Sequence, residues 1–279
     1  MTKRTLATFA LLAVACSAMS CGEASDPTPE PPKRMVVIFA DVSSSLTPEQ
    51  VVSVQTHVAR IIKALPANSD VHVFSIGRDT ESARELRSET APSVESDATA
   101  NRLTLWRAEL ATKLQDDLDQ LHRNRKTTEP DTLSSCITTA LRRTASVTTR
   151  TTRRVDVFIV SDMIEECGTS LLGGQLSLMK RDITQEIKQA REFKGRFPDL
   201  RRATFTLVRP QYNVVTTAQA EHPTSADLER FWREVLARCN TDPGQVFFGA
   251  DLPSAEELFP DGSSTDTATV SASASTTRP

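Results

Sequence analysis

The sequence lacks the loops that announce common enzymes. It has no Gly-x-x-x-x-Gly-Lys loop, no Gly-x-Gly-x-x-Gly turn and no Gly-x-Ser-x-Gly elbow, the backbone devices that cradle phosphates or present a nucleophile. It also lacks strong charge of either sign. The net charge is −3 over 279 residues, and no basic patch with interleaved aromatics appears, which argues against nucleic acid as a partner. Histidines number four; His57, His72, His122 and His222 are scattered singly, and among Cys136, Cys167 and Cys239 no pair has zinc-site spacing. There is no internal repeat. What remains is ordinary globular composition, 38% hydrophobic and 25% charged, enough apolar material for a core.

Residues 1–21 read as a secretory leader. Lys3 and Arg4 form a basic start, Leu6 to Val14 is apolar or small except for Thr8, and small residues follow. The run is too short to span a membrane as a stable helix. Two cysteines can end it. Ala18-Met19-Ser20-Cys21-Gly22 resembles a lipobox, and so does Ala13-Val14-Ala15-Cys16. Cys21 is preferred, because it leaves a fuller apolar region and linker follows at once; an ordinary cleaved signal peptide is the alternative. Either way the mature chain is exported, and acylation of Cys21 anchors it by lipid to a membrane on the extracytoplasmic side of the cell envelope. Residues 22–34 form a linker with Pro27, Pro29, Pro31 and Pro32, which cannot bury a core and stays extended. Residues 263–279, nearly all Ser, Thr and Ala, read as a disordered tail.

Between them, residues 35–262 alternate strand and helix. Met35 to Ala40 is a continuous apolar run, as in a strand buried on both faces. Thr47-Pro48-Glu49-Gln50 predicts a capping box with proline in the first turn, and Val51, Val54, Val58, Ile61, Ile62 and Leu65 recur at helical spacing. Further strands are expected at Val71 to Ile76, Val155 to Val160, Ala203 to Val208 and Gln245 to Phe248, with an edge strand at Ala83 to Thr90. Helices are expected at Leu103 to Leu121, Leu133 to Ala145, Ser177 to Phe193 and Ser225 to Arg238. The predicted fold class is α/β: a doubly wound, mostly parallel sheet with helices on both faces.

The first strand ends in Asp41-Val42-Ser43-Ser44-Ser45. Ligands of open α/β sheets bind at the carboxyl ends of the strands. A carboxylate and two hydroxyls on a tight loop there aim oxygen ligands at one spot, as hard cations require. The same residues also serve as helix caps at a strand-to-helix turn. A second acidic position supports the metal reading: Val155 to Val160 runs into Ser161-Asp162-Met163, and in a doubly wound sheet this strand lies next to the first.

On these residues the chain resembles the von Willebrand factor A family, over roughly Met35 to Phe248. The resemblance implies a metal-ion-dependent adhesion site in which Asp41, Ser43, Ser45 and Asp162 match the family's pattern directly. It implies a divalent cation, Mg²⁺ first with Mn²⁺ or Ca²⁺ possible, whose shell is completed by an acidic side chain of a protein partner. The family's Thr on a second loop is where this chain departs. The spacing to Ala140-Leu141 puts Ser135 there; Thr132, beside Asp131, is the alternative, and one of the two only caps the helix.

Glu165, Glu166 and Asp156, which flank the second acidic site in sequence, read as a solvated charged loop. If the metal loops share one end of the sheet, Cys136, next to Ser135, and Cys167, five residues after Asp162, lie on neighbouring loops and form a disulfide. Cys239 is then a half-buried free thiol. The rivals are a Cys167–Cys239 bridge and three free thiols.

The expected function is a tethered binding module with no catalytic residues. One alternative is a structural part of an envelope assembly with a vestigial metal site. Another is a metal-dependent hydrolase, disfavoured because phosphatases with an Asp nucleophile here carry a second Asp two residues on, where this chain has Ser43.

Overall fold

A computed structural model describes residues 34–43, 46–77, 85–128, 135–165, 168–169, 174–175, 183–192, 196–210 and 223–260. The expected leader, the linker up to residue 33 and the Ser/Thr/Ala-rich tail lie outside them. Among the described residues no helix is long and apolar enough to cross a membrane.

The apolar runs become strands of one sheet. β1 (Arg34–Asp41), β2 (Ser69–Ile76), β3 (Glu85–Thr90), β4 (Val155–Val160), β7 (Ala203–Val208) and β8 (Val246–Gly249) lie in the order β3-β2-β1-β4-β7-β8. All neighbours are parallel except β3, which pairs antiparallel with β2 at the edge. A short separate hairpin pairs β5 (Gly168–Thr169) with β6 (Gly174–Gln175). Residues 36–40 of β1 are fully buried, because alternate side chains enter two cores. Val37 and Phe39 pack with the helices α3 (Ile137–Thr148), α4 (Ile183–Glu192) and α5 (Ser225–Arg238). Val36, Ile38 and Ala40 pack with α1 (Pro48–Ala64), α2 (Asp97–Thr128) and α6 (Ala255–Leu258). This is the doubly wound α/β arrangement expected from the alternation of runs.

α1 starts where its caps dictate. Thr47 Oγ1 accepts from Gln50 N at 3.3 Å, and Gln50 Oε1 accepts from Thr47 N at 2.6 Å. α2 is longer than the apolar stripe predicts. Leu103, Leu110, Leu114 and Leu118 are buried, but the helix extends a turn or more beyond both ends of that stripe. Nothing stops it, since the segment holds no Gly or Pro.

Arg34, expected in the linker, is the first residue of β1 and is buried. Its guanidinium pairs with Asp156 Oδ2 at 2.9 Å. Asp156 is therefore no part of a solvated loop by the second acidic site: it sits 3% exposed at the amino end of β4, and Arg154 approaches its other oxygen at 3.3 Å.

Candidate functional site

β1 and β4 run side by side in register, from Met35 opposite Val155 to Ala40 opposite Val160. Asp41 and Ser161-Asp162 thus leave the sheet together at its carboxyl end. The chain passes from β1 outward to β2 and from β4 outward to β7, so the two strands flank the point where winding reverses, the place at which open α/β sheets form a ligand crevice.

Three segments converge there. Asp41 is fully buried, and its Oδ1 accepts from Ser43 N at 2.9 Å. Its Oδ2 accepts from Ser135 Oγ and from Ser161 Oγ, each at 2.8 Å. Ser135 Oγ also lies 3.0 Å from Ser43 Oγ. Ser161 links onward, since its Oγ lies 3.4 Å from Asp162 Oδ1 and accepts from Met163 N at 3.1 Å. Asp162 Oδ1 accepts from Ile164 N at 2.9 Å, and its carbonyl accepts from Arg209 Nε at 3.1 Å. The turn is sharp: Met163 has a φ of 64°, uncommon for a residue with a side chain. Trp232 Nε1, donating to the Met163 carbonyl at 2.9 Å, fixes it from α5. Of the residues expected at the site, Asp41, Ser43, Ser135 and Asp162 come together. Ser45 and Thr132 lie outside the described residues.

The oxygen spacing bears on whether a cation fits. Adjacent ligands of an octahedral Mg²⁺ with bonds near 2.1 Å lie about 3.0 Å apart. The contacts of Ser135 Oγ with Asp41 Oδ2 and Ser43 Oγ, 2.8 and 3.0 Å, are of that size. Hydroxyl protons rotate freely, so oxygens that now share hydrogen bonds can turn lone pairs to one point. Among the described residues no three His, Cys, Asp or Glu side chains gather as a metal-binding group. A set of hydroxyls with few carboxylates suits a hard, partly hydrated cation and not zinc.

Two side chains at the site were not anticipated as participants. Ser161 was visible only as the neighbour of Asp162. Glu165 was read as solvated, yet it is fully buried: its carboxylate accepts from Thr138 N at 3.0 Å and from Thr138 Oγ1 at 3.1 Å. It does for α3 what that helix's own N-cap residue, Cys136, does not, since Cys136 makes no side-chain cap. A carboxylate on the first turn also meets the positive end of the helix dipole. The β4 loop is thereby fastened to the helix that begins two residues after Ser135. Glu166 lies outside the described residues.

Cys136 is fully buried and disulfide-bonded; Cys167, its expected partner, lies outside the described residues. Cys239 is free and completely buried, deeper than expected, which removes the Cys167–Cys239 pairing and the three-thiol alternative. Burial, with the Asp199 charge adding to it, pushes the Cys239 thiol up to about 12.

No protein-family model matches the chain, and no curated protein matches it. Several solved structures are similar to it. Von Willebrand factor type A from Catenulispora acidiphila has a TM-score of 0.43 at 12% identity, with 82% of this chain and 41% of that one covered. The pilus adhesin SpaC from Lactobacillus rhamnosus GG, in its open conformation, gives 0.41 at 10% identity, covering 83% of this chain and 29% of that one. The ArnB paralog VWA2 from Sulfolobus acidocaldarius gives 0.40 at 7% identity, covering 80% and 42%. This chain therefore spans less than half the length of each of these three proteins.

Proposed function

We propose that this chain is a non-catalytic binding module of the von Willebrand factor A type, lipid-anchored through Cys21 to the outer side of a membrane in the cell envelope. In this reading Asp41, Ser43, Ser45, Ser135 and Asp162 hold one divalent cation, Mg²⁺ or its close relatives Mn²⁺ and Ca²⁺. Ser135 takes the second-loop position in preference to Thr132. The bound cation supplies an open position for a carboxylate oxygen of a protein partner. Ser161 spaces Asp41 from Asp162, and Glu165 and Trp232 hold the loops that carry Ser135 and Asp162.

One observation carries the reading: Asp41, Ser43 and Ser135, from two separate segments, present oxygens at mutual contacts of 2.8 and 3.0 Å at the sheet's winding reversal. No acid stands two residues after Asp41 to protonate a leaving group, so the same carboxylates are read as ligands and not as a hydrolytic pair.

The test is a pull-down from envelope extracts, with wild type and Asp41→Ala side by side, in Mg²⁺ and in chelator. Capture by wild type in Mg²⁺ alone is expected. Equal capture by both proteins, unaffected by chelator, would overturn the proposal. Mass spectrometry of the mature amino terminus addresses the anchor, and an unmodified terminus at another residue would remove it.

A further inference from the structure

The end of the sheet opposite Asp41 is built from loops that the sequence gives no obvious role. Backbone hydrogen bonds place three segments together there. Met35 N donates to the Arg154 carbonyl at 3.2 Å, and Val155 N donates to the Arg202 carbonyl at 3.4 Å. Arg202 Nη1 also reaches the Thr151 carbonyl at 3.3 Å. The start of β1, the loop from α3 to β4 and the turn before β7 therefore form one continuous surface.

That surface is basic in a chain whose net charge is −3. Some of its arginines are neutralised. Arg34 and Arg154 share Asp156, Arg153 pairs with Asp70 at 2.6 Å, and Arg201 pairs with Asp199 at 2.7 Å. Arg150, Arg196 and Arg202 are exposed and have no acidic partner among the described residues. The neighbouring loop adds Asp242, whose carboxylate is engaged by Gly244 N at 2.9 Å. Among the residues named on these loops cations remain in excess, although the exposed Glu256 and Glu257 of α6, next to the Phe259 ring that Arg34 covers, and Glu95 after β3 offset part of it at the same end.

We propose that this basic end is a seat for an anionic phospholipid surface, with the Asp41 site at the opposite end held outward toward its partner. The proposal rests on the tether at Cys21. The described chain begins at this end, at Arg34, so whatever precedes it joins the domain on the side of the excess arginines. Residues 22–33 number twelve and cannot reach further than about 40 Å. The tether keeps the domain near the membrane, but charges are screened over about 8–10 Å at moderate salt, so the arginines act only when this end touches the headgroups. Each exposed arginine brought to an anionic surface strengthens partitioning by about fivefold.

The experiment uses the full-length chain carrying Cys16→Ala and Cys21→Ala, so that no acyl group contributes. Co-sedimentation is measured with phosphatidylcholine vesicles, with and without phosphatidylglycerol, at low and high ionic strength. Phosphatidylglycerol should raise binding, and salt should remove the gain. Arg150→Gln/Arg196→Gln/Arg202→Gln should lose up to on the order of a hundredfold of that gain. A control with the same charge change elsewhere, Lys113→Gln/Arg123→Gln/Arg230→Gln, should keep it. Equal binding to neutral and anionic vesicles, or equal loss in the control, overturns the seat. The acyl group is checked separately by mass spectrometry of the wild-type protein. An unmodified Cys21 with anionic binding intact removes the tether and leaves the seat; an acylated Cys21 with no anionic preference removes the seat and leaves the tether.

Discussion

Asp41→Asn separates a metal site from a mere hydrogen-bonded cluster. The substitution keeps the shape and one oxygen acceptor, so Ser43 N retains its partner. The new amide NH₂ faces Ser135 and Ser161, whose hydroxyls now donate to Asp41 Oδ2 and can turn to accept instead. Two effects then oppose each other without metal. Charge-assisted hydrogen bonds worth about 1.5–3 kcal/mol each fall to neutral ones of about 0.5–1.5 kcal/mol. Against that, a fully buried charge is no longer desolvated, which removes a cost of several kcal/mol. The metal-free Asn variant should therefore melt within a few degrees of metal-free wild type. With metal the two diverge. A cation at a hundred times its dissociation constant stabilises the folded state by about 2.7 kcal/mol. For a domain of this size that raises Tm by about 5–10 °C. Differential scanning calorimetry over a MgCl₂ titration should show the rise in wild type and none in Asp41→Asn. A wild type unmoved by millimolar metal, or an Asn variant with the full rise, would refute the metal reading.

Three further outcomes follow from named contacts. Ser135→Ala removes the hydroxyl that touches both Asp41 and Ser43 and should weaken Mg²⁺ binding at least tenfold by calorimetry, whereas Ser135→Thr should retain it; wild-type affinity in the Ala variant would show that Ser135 is not a metal ligand. Glu165→Ala strands Thr138 N and Oγ1 in the interior and should cost roughly 2–4 kcal/mol in urea unfolding, with Glu165→Gln costing less because one acceptor remains; an Ala variant as stable as wild type would mean that the cap contributes nothing. Cys239 should resist iodoacetamide at pH 8 in the native protein and react on unfolding. Because folding raises its pKa from 9.0 to about 12, its contribution to stability is fully present below pH 9 and is lost as pH rises toward 12. A Cys239→Ala variant should lack that part of the alkaline decline, and fast native labelling would contradict the burial.

Much of the site was legible because its signals are local. A buried strand announces itself as an unbroken apolar run, and a ligand loop must follow the strand directly, so Asp41 and Ser43 could be read from residues 35–45 alone. Asp162 followed from the same logic applied to Val155–Val160. Ser135 needed a spacing rule from the resemblance, since nothing within its own segment distinguishes it from a capping serine. The capping box at Thr47 and Gln50 was legible for the same local reason: both partners lie within one helical turn.

Chain neighbours misled where space decides. Asp156 and Asp162 are six residues apart in sequence, but an extended strand carries them about 20 Å apart, so Asp156 belongs to the amino end, with Arg34. Glu165 looked solvated because its own segment offers it no partner. Its partner, Thr138, stands 27 residues away, on a helix that reaches it only through the winding of the sheet. The sequence determined which segments are strands and helices and which oxygens stand at strand ends. The tertiary structure alone decided which of those ends meet, because parallel pairing fixes a common end for distant strands, and a buried charge is tolerated only where a distant segment supplies its hydrogen bonds.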